Sequence, residues 1–413
     1  MEGADTAGPG LPARIAGIAK DAVTSPSFLR VLRHLETDDP LTLRQQVRLT
    51  EVPAPPFGEA TPAGLFADLL KEAGATGVGS DDEGNVLGSV EGSGQGGPIV
   101  LAAHLDTVFP EGTPVRVRED GDRLLGPGIS DNGRGLAAIL AVVRCVRREG
   151  IALSGPLLVV GTVGEEGVGN LRGVRHLFGE SGAAHRARAL ISLDGAGTQR
   201  IVTRGVGSRR LRLTLNGPGG HSWSDRGTAN PLHALGAMVS ELTDLPLPPG
   251  TTLNVGRVAG GISVNAIPEG GWMELEVRSV EEPVLDRLEA RIRATVSDVA
   301  ERTNAARRRG TDPLEVTWRI LGSRPAGSTD TETPLVQAAM AATQELFGDV
   351  EAVEASTDAN VPMHLGIPAI TVGAGGDAGQ YHTLDEWYRN VRGPEGIARA
   401  LLTLLVLDRL LPG

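Results

Sequence analysis

The chain has 413 residues, too many for one ordinary hydrophobic core, so two domains are the natural prior. Its net charge is −12, and its basic residues are nearly all Arg scattered among Asp and Glu, so nothing marks a nucleic-acid partner. One cysteine, Cys145, excludes an internal disulfide and a thiolate metal cluster.

The first ten residues, rich in Gly, Ala and Pro, are expected to be disordered and do not resemble an export signal. No later stretch is long and apolar enough to span a bilayer, so a cytoplasmic protein without a membrane partner is expected. Helical periodicity predicts helices over 11–22, 26–36 and 41–51, the last stopped by Val52-Pro53-Ala54-Pro55-Pro56. A helix at 62–74 leads to short strands near 76–91. The apolar run 98–103 is a strand with His104 at its C-terminal end. A helix over 133–149, holding Cys145 as a buried free thiol, precedes the strand 156–163, which delivers Glu165 and Glu166. The strand 189–193 delivers Asp194 in the same way. Fully apolar strands alternating with helices predict an α/β fold with a largely parallel mixed sheet covered on both faces. Ligands of such sheets sit beyond the carboxyl ends of the strands.

From residue 207 the pattern changes. Alternating residues 209–215, a helix at 229–244, strands at 251–259 and 271–279, a charged helix at 281–305 and a strand at 314–320 follow in order. This β-α-β-β-α-β order predicts a ferredoxin-like α+β domain inserted into the first. The boundaries are then 1–206 and 323–413 for the catalytic domain and 207–322 for the insert. A helix at 332–347 and a strand at 369–372 resume the earlier style, and His382 lies beyond them.

The chemistry-bearing residues are His104, Asp106, Asp131, Glu165, Glu166, Asp194 and His382. Asp106 lies two residues beyond His104, so in an extended strand its carboxylate can reach the imidazole. Each residue alone has an ordinary reading: a salt bridge for the His104/Asp106 pair, a helix cap for Asp131, an acidic turn for Glu165-Glu166. Together they supply what two zinc-type ions need, two imidazoles and three carboxylates as ligands, with a further carboxylate as base. The other histidines, at 34, 176, 185, 233 and 364, lack such contexts.

These segments resemble the M20 family of metallopeptidases and amidohydrolases, which includes carboxypeptidase G2-like, peptidase T-like and acetylornithine deacetylase-like enzymes. His104-Leu105-Asp106-Thr107-Val108, Gly126-Pro127-Gly128-Ile129-Ser130-Asp131-Asn132 and Gly164-Glu165-Glu166-Gly167 carry the likeness, which runs from about residue 45 to the end. Asn132 departs from it, standing where many members have a second acidic residue. The resemblance implies a zinc-exopeptidase-like catalytic domain with a lid and dimerisation domain inserted in it. His104, Asp131, Glu166, Asp194 and His382 would hold two Zn2+, replaceable by Co2+ or Mn2+. Asp131 would bridge the ions and be followed by a cis peptide bond. Glu165 would be the general base, and Asp106 would orient His104.

In the insert, Gly217-Pro218-Gly219-Gly220-His221-Ser222 resembles the segment whose His stabilises the oxyanion in a partner subunit, implying a homodimer paired through the lid. Asn265, within the segment 260–268, and Arg278 resemble lid positions that bind a substrate carboxylate. The implied activity is hydrolysis of a small peptide by an exopeptidase or dipeptidase of carboxypeptidase or peptidase T type. The alternatives are an N-acyl-amino-acid deacylase and a catalytically silent metal-binding scaffold.

Overall fold

The computed structural model describes residues 10–411, so nearly all of the stretch read as disordered lies outside the described residues. One compact unit is built from the chain up to Gly205 and from Gly327 onward; the other is Val206–Ala326.

The first unit is organised on a nine-stranded sheet. At its centre Leu157–Thr162, Ile99–His104, Ala189–Leu193 and Ala369–Val372 lie side by side and parallel. Glu351–Ala355 adds a further parallel pairing with Arg200–Gly205, while Thr76–Ser80 and Val86–Val90 extend the sheet antiparallel. The central strands are apolar throughout because both faces are covered, and the period of two sorts their side chains. Ile99, Leu101, Ala103, Leu157, Val159, Ile191 and Ile370 pack with the helices Leu11–Thr24, Pro26–Thr50, Ala60–Glu72, Gly133–Arg148, Pro334–Phe347 and Gly393–Leu410. Val100, Ala102, Val160 and Leu190 pack on the other face, with Arg172–Phe178 and Asn360–His364. Cys145 is buried within Gly133–Arg148.

Among the departures from the sequence reading, which also include the short helices Arg172–Phe178 and Asn360–His364, two longer helices are informative. The segments expected at 26–36 and 41–51 form one helix, Pro26–Thr50, running through Pro40. Pro40 removes one helical hydrogen bond, but Arg144 of the neighbouring helix grips both sides of it. Arg144 donates to Asp38 at 2.7 Å, Gln45 at 2.5 Å and Thr42 at 3.1 Å. The helix Gly393–Leu410 was not expected at all. It is buried on nearly every side, and such a helix has no polar stripe to reveal its period. Among the described residues no helix is long and apolar enough to cross a membrane.

The second unit carries a four-stranded antiparallel sheet in the order Thr251–Gly260, Gly270–Ser279, Gly207–Asn216, Glu315–Arg324. Leu211, Leu213, Leu215, Met273, Leu275 and Val277 point to one face, where the helices Pro231–Thr243 and Glu282–Ala305 cover them. The alternate positions form cross-strand ion pairs, Arg210 with Glu276 at 2.8 Å and Arg212 with Glu274 at 2.9 Å. The last strand runs to Arg324, beyond the expected end at residue 320, with a register shift between Ile320 and Gly322.

Candidate metal centre

The carboxyl ends of the parallel strands converge on one cluster. His104 is the last residue of its strand, Glu165 and Glu166 follow Leu157–Thr162, and Asp194 follows Ala189–Leu193. The ligand atoms of His104, Asp131 and Asp194 lie within 4.8 Å of one another, as do those of Asp131, Glu166 and His382. Asp131 belongs to both groups, and its two oxygens face different imidazoles. Oδ1 is 3.0 Å from His104 Nε2, and Oδ2 is 3.2 Å from His382 Nε2. Asp194 stands 3.7 Å from His104, and Glu166 stands 3.2 Å from His382. Glu165 shares a third group with His104 and Glu166.

Asp131 sits on a tight turn at the start of the helix Gly133–Arg148. Gly128 has φ +78° there, and a Cβ would come within 2.7 Å of Thr107. The Asp131–Asn132 peptide is cis. Asn132 is the helix cap: its Oδ1 accepts from Gly135 at 3.0 Å, and its amide donates to the Leu193 carbonyl at 2.9 Å. The same Oδ1 accepts from Gly195 at 3.2 Å, so one side chain joins the Asp131 turn to the loop carrying Asp194. An Asp at position 132 has no donor for the Leu193 carbonyl, which gives the Asn a physical reason.

Asp106 meets His104 through its main chain as well as its carboxylate. The His104 ring is held through the Asp106 main-chain carbonyl, which accepts from Nδ1 at 2.9 Å, while the carboxylate is 3.8 Å away. That carboxylate is fully buried and accepts the N–H groups of Glu165 at 3.0 Å and Glu166 at 2.8 Å. Asp106 therefore fixes both the first imidazole and the turn bearing the two glutamates.

The donor set fits divalent cations. A carbonyl only accepts, so His104 Nδ1 carries the proton of that bond and Nε2 faces the Asp131 and Asp194 oxygens. With the His104 proton on Nδ1, the buried Asp131 Oδ1 accepts no hydrogen bond. Such acceptors converge favourably only around a cation or a proton. Zinc-type bonds of about 2.0–2.2 Å in a tetrahedron put ligand atoms roughly 3.3–3.6 Å apart, close to the separations of 3.0–3.7 Å found here.

The titration behaviour has the same origin. Burial works against a charged His104, but hydrogen bonds to Asp131 and Asp194 prevail and hold its pKa well above the ordinary value. Hydrogen bonds to Asp131 and Glu166 raise His382 to about 10. Burial opposes ionisation of Asp131, yet the two imidazoles drive its pKa below the usual carboxylate range.

Sequence reasoning missed two buried carboxylates. Glu386 is fully buried and accepts from the N–H groups of Gly128 at 2.9 Å, Ser130 at 2.8 Å and Asp131 at 2.9 Å. Burial pushes its carboxyl up to about 7 despite those bonds. Its only sequence signal is its place four residues after His382. Asp358 accepts from Thr162 Oγ1 at 2.5 Å, at the end of the strand preceding Glu165, and burial pushes it up to about 6. No local pattern marks it.

Three expected site residues belong to the second unit. His221 lies on a two-residue strand, Gly220–His221, paired with Ala266–Ile267, and is exposed. Its Nδ1 accepts from the Trp223 N–H at 3.1 Å, which leaves Nε2–H as a donor in the neutral ring. Asn265 accepts from the Ser222 N–H through its main-chain carbonyl at 3.0 Å. Arg278 is already paired, with Glu276 at 2.9 Å.

Fold and donor set together define a dinuclear metallohydrolase. The chain belongs to peptidase family M20/M25/M40, whose profile matches residues 100–405. It is 25% identical over 336 residues to the uncharacterized protein YqjE of Bacillus subtilis (strain 168), covering 78% of this chain and 85% of that one. With carboxypeptidase G2 of Pseudomonas sp. (strain RS-16) it shares 29% identity over 238 residues, 52% of this chain and 54% of that enzyme. The fold is similar to that of a tripeptidase from Staphylococcus aureus, with TM-score 0.73 and 19% identity over 89% of this chain and 98% of that one.

Proposed function

We propose that the chain is a di-zinc exopeptidase or dipeptidase that hydrolyses small peptides. The observation that carries this is the pair of donor groups sharing Asp131, with Glu165 left over beside them. His104, Asp131 and Asp194 would hold one ion, and His382, Asp131 and Glu166 the other. Bound there, the ions supply Lewis acidity, which acidifies water and polarises the scissile carbonyl.

The remaining steps belong to the side chains. Glu165 is the general base, taking the proton of the attacking water and returning it to the leaving amine. Asp106 holds the turn of Glu165 and Glu166 in register with His104. His221, with Nε2–H as a donor, stabilises the oxyanion from a neighbouring subunit in a homodimer paired through the lid. Asn265 and Arg278 bind the substrate carboxylate, for which Arg278 must loosen its pair with Glu276. The names of the similar carboxypeptidase and tripeptidase support peptides as substrates.

The test is a screen of protein loaded with zinc, cobalt or manganese against dipeptides, tripeptides and N-acyl amino acids. Peptide hydrolysis is expected. Turnover of N-acyl amino acids alone would make the protein a deacylase, and metal retention without any hydrolysis would make it a scaffold.

A further inference from the structure

A cleft of about 590 Å3 opens within the first unit, walled in part by segments that adjoin metal-centre residues in sequence. Its walls include Phe57, Val108, Pro110, Glu111, Gly167 and Val168, with Pro55 and Pro56 beneath. Phe57 and Val168 are 67% and 68% exposed, so the cleft presents two large apolar side chains to whatever enters it. Two of the three segments forming the cleft continue directly from site residues. Gly167 is peptide-bonded to Glu166, and Val108 lies two residues beyond the buried Asp106. The edge of the cleft at Gly167 is one Cα–Cα step, about 3.8 Å, from the proposed ligand residue Glu166.

The charges around the cleft select against anions. Glu111 is the one ionisable residue among its walls, and it is exposed. The nearby Arg172 stacks on the Phe57 ring at 5.0 Å, but it is paired with Glu59 at 2.7 Å and Glu83 at 2.9 Å. A carboxylate in the cleft would face Glu111 with no cation among the described lining residues to meet it, whereas an aliphatic or aromatic group would cover Phe57 and Val168.

Resting on the hydrolase reading above, we infer that this cleft is a specificity pocket for an apolar group flanking the scissile amide, and that it rejects carboxylate-bearing groups. The test uses full-length, metal-loaded protein and two substrate series. One varies the acyl side (acetyl, hexanoyl, succinyl) on a constant amino acid. The other varies the leaving side (Gly-Gly, Gly-Leu, Gly-Glu).

In one of the two series the apolar member should exceed the carboxylate member in kcat/KM by about tenfold or more, the scale of discrimination by an apolar pocket. Val168→Arg, at an exposed position, should cut that ratio about tenfold in the same series by favouring the carboxylate, and leave the other series unchanged. Hydrolysis without apolar preference in either series overturns the pocket while the hydrolase reading stands. A preference that Val168→Arg does not move has the same consequence. No turnover of any member with zinc, cobalt or manganese overturns the hydrolase reading itself, and the pocket falls with it.

Discussion

The Glu386 carboxylate holds the main chain of Asp131: the Asp131 N–H donates to Glu386 Oε1 at 2.9 Å. Gly128 and Ser130 donate to the same carboxylate, so it organises the whole turn from which Asp131 reaches both imidazoles. Glu386 lies four residues after His382, and its own carbonyl accepts from Gly126 at 2.9 Å. The segment carrying one imidazole is thereby strapped to the turn carrying the shared carboxylate.

Glu386→Gln replaces one acceptor oxygen by a donor facing these N–H groups. It should weaken metal binding by about 10–100-fold, the usual effect of losing a partner that orients a ligand. A chelator competition titration reads this, with circular dichroism to show that the fold persists. Unchanged affinity in a folded variant would remove the positioning role.

Glu165→Gln should leave metal content nearly unchanged and lower kcat by about 10²–10⁴-fold, the range for loss of a general base. Glu166→Gln should instead lower metal affinity, because Glu166 stands 3.2 Å from His382 in the second donor group. Metal analysis beside kinetics distinguishes the two, and the reverse pattern would mean that the adjacent roles are exchanged.

Metal uptake should release protons. His382 is raised to about 10 from an ordinary 6.5, first by hydrogen bonds to Asp131 and Glu166. In the metal-free protein its contribution to stability is therefore complete below about pH 6.5 and lost as pH rises through about 10. A divalent ion needs the same lone pair, so at about pH 7.5 it must expel that proton, and apparent affinity should rise with pH. Calorimetry in buffers of different ionisation enthalpy counts the protons, and a count of zero would contradict His382 as a ligand.

His221→Ala should lower turnover by about 10²–10³-fold with little loss of metal, as expected for one oxyanion donor. If the protein is a two-fold dimer paired through residues near 216–245, mixing His221→Ala with Glu165→Gln subunits should restore part of the activity. A fully active monomer at assay concentration would rule this arrangement out.

The sequence by itself determined which segments become buried strands and which ionisable residues lie at their ends. His104, Glu165, Glu166 and Asp194 were legible because an apolar run of strand length fixes where the next polar side chain emerges. Local pattern could not determine how Asp106 divides its work, since its main chain serves His104, two residues away, while its carboxylate serves Glu165 and Glu166, 59 and 60 residues away. Nor could it find Glu386, whose bonds to Gly128, Ser130 and Asp131 span 255–258 residues. The unbroken helix through Pro40 depends on Arg144, about a hundred residues away in sequence. In each case the deciding contact joins segments that only the folded sheet and its helices bring together, because hydrogen-bond partners are chosen by proximity in space and periodicity reports only burial.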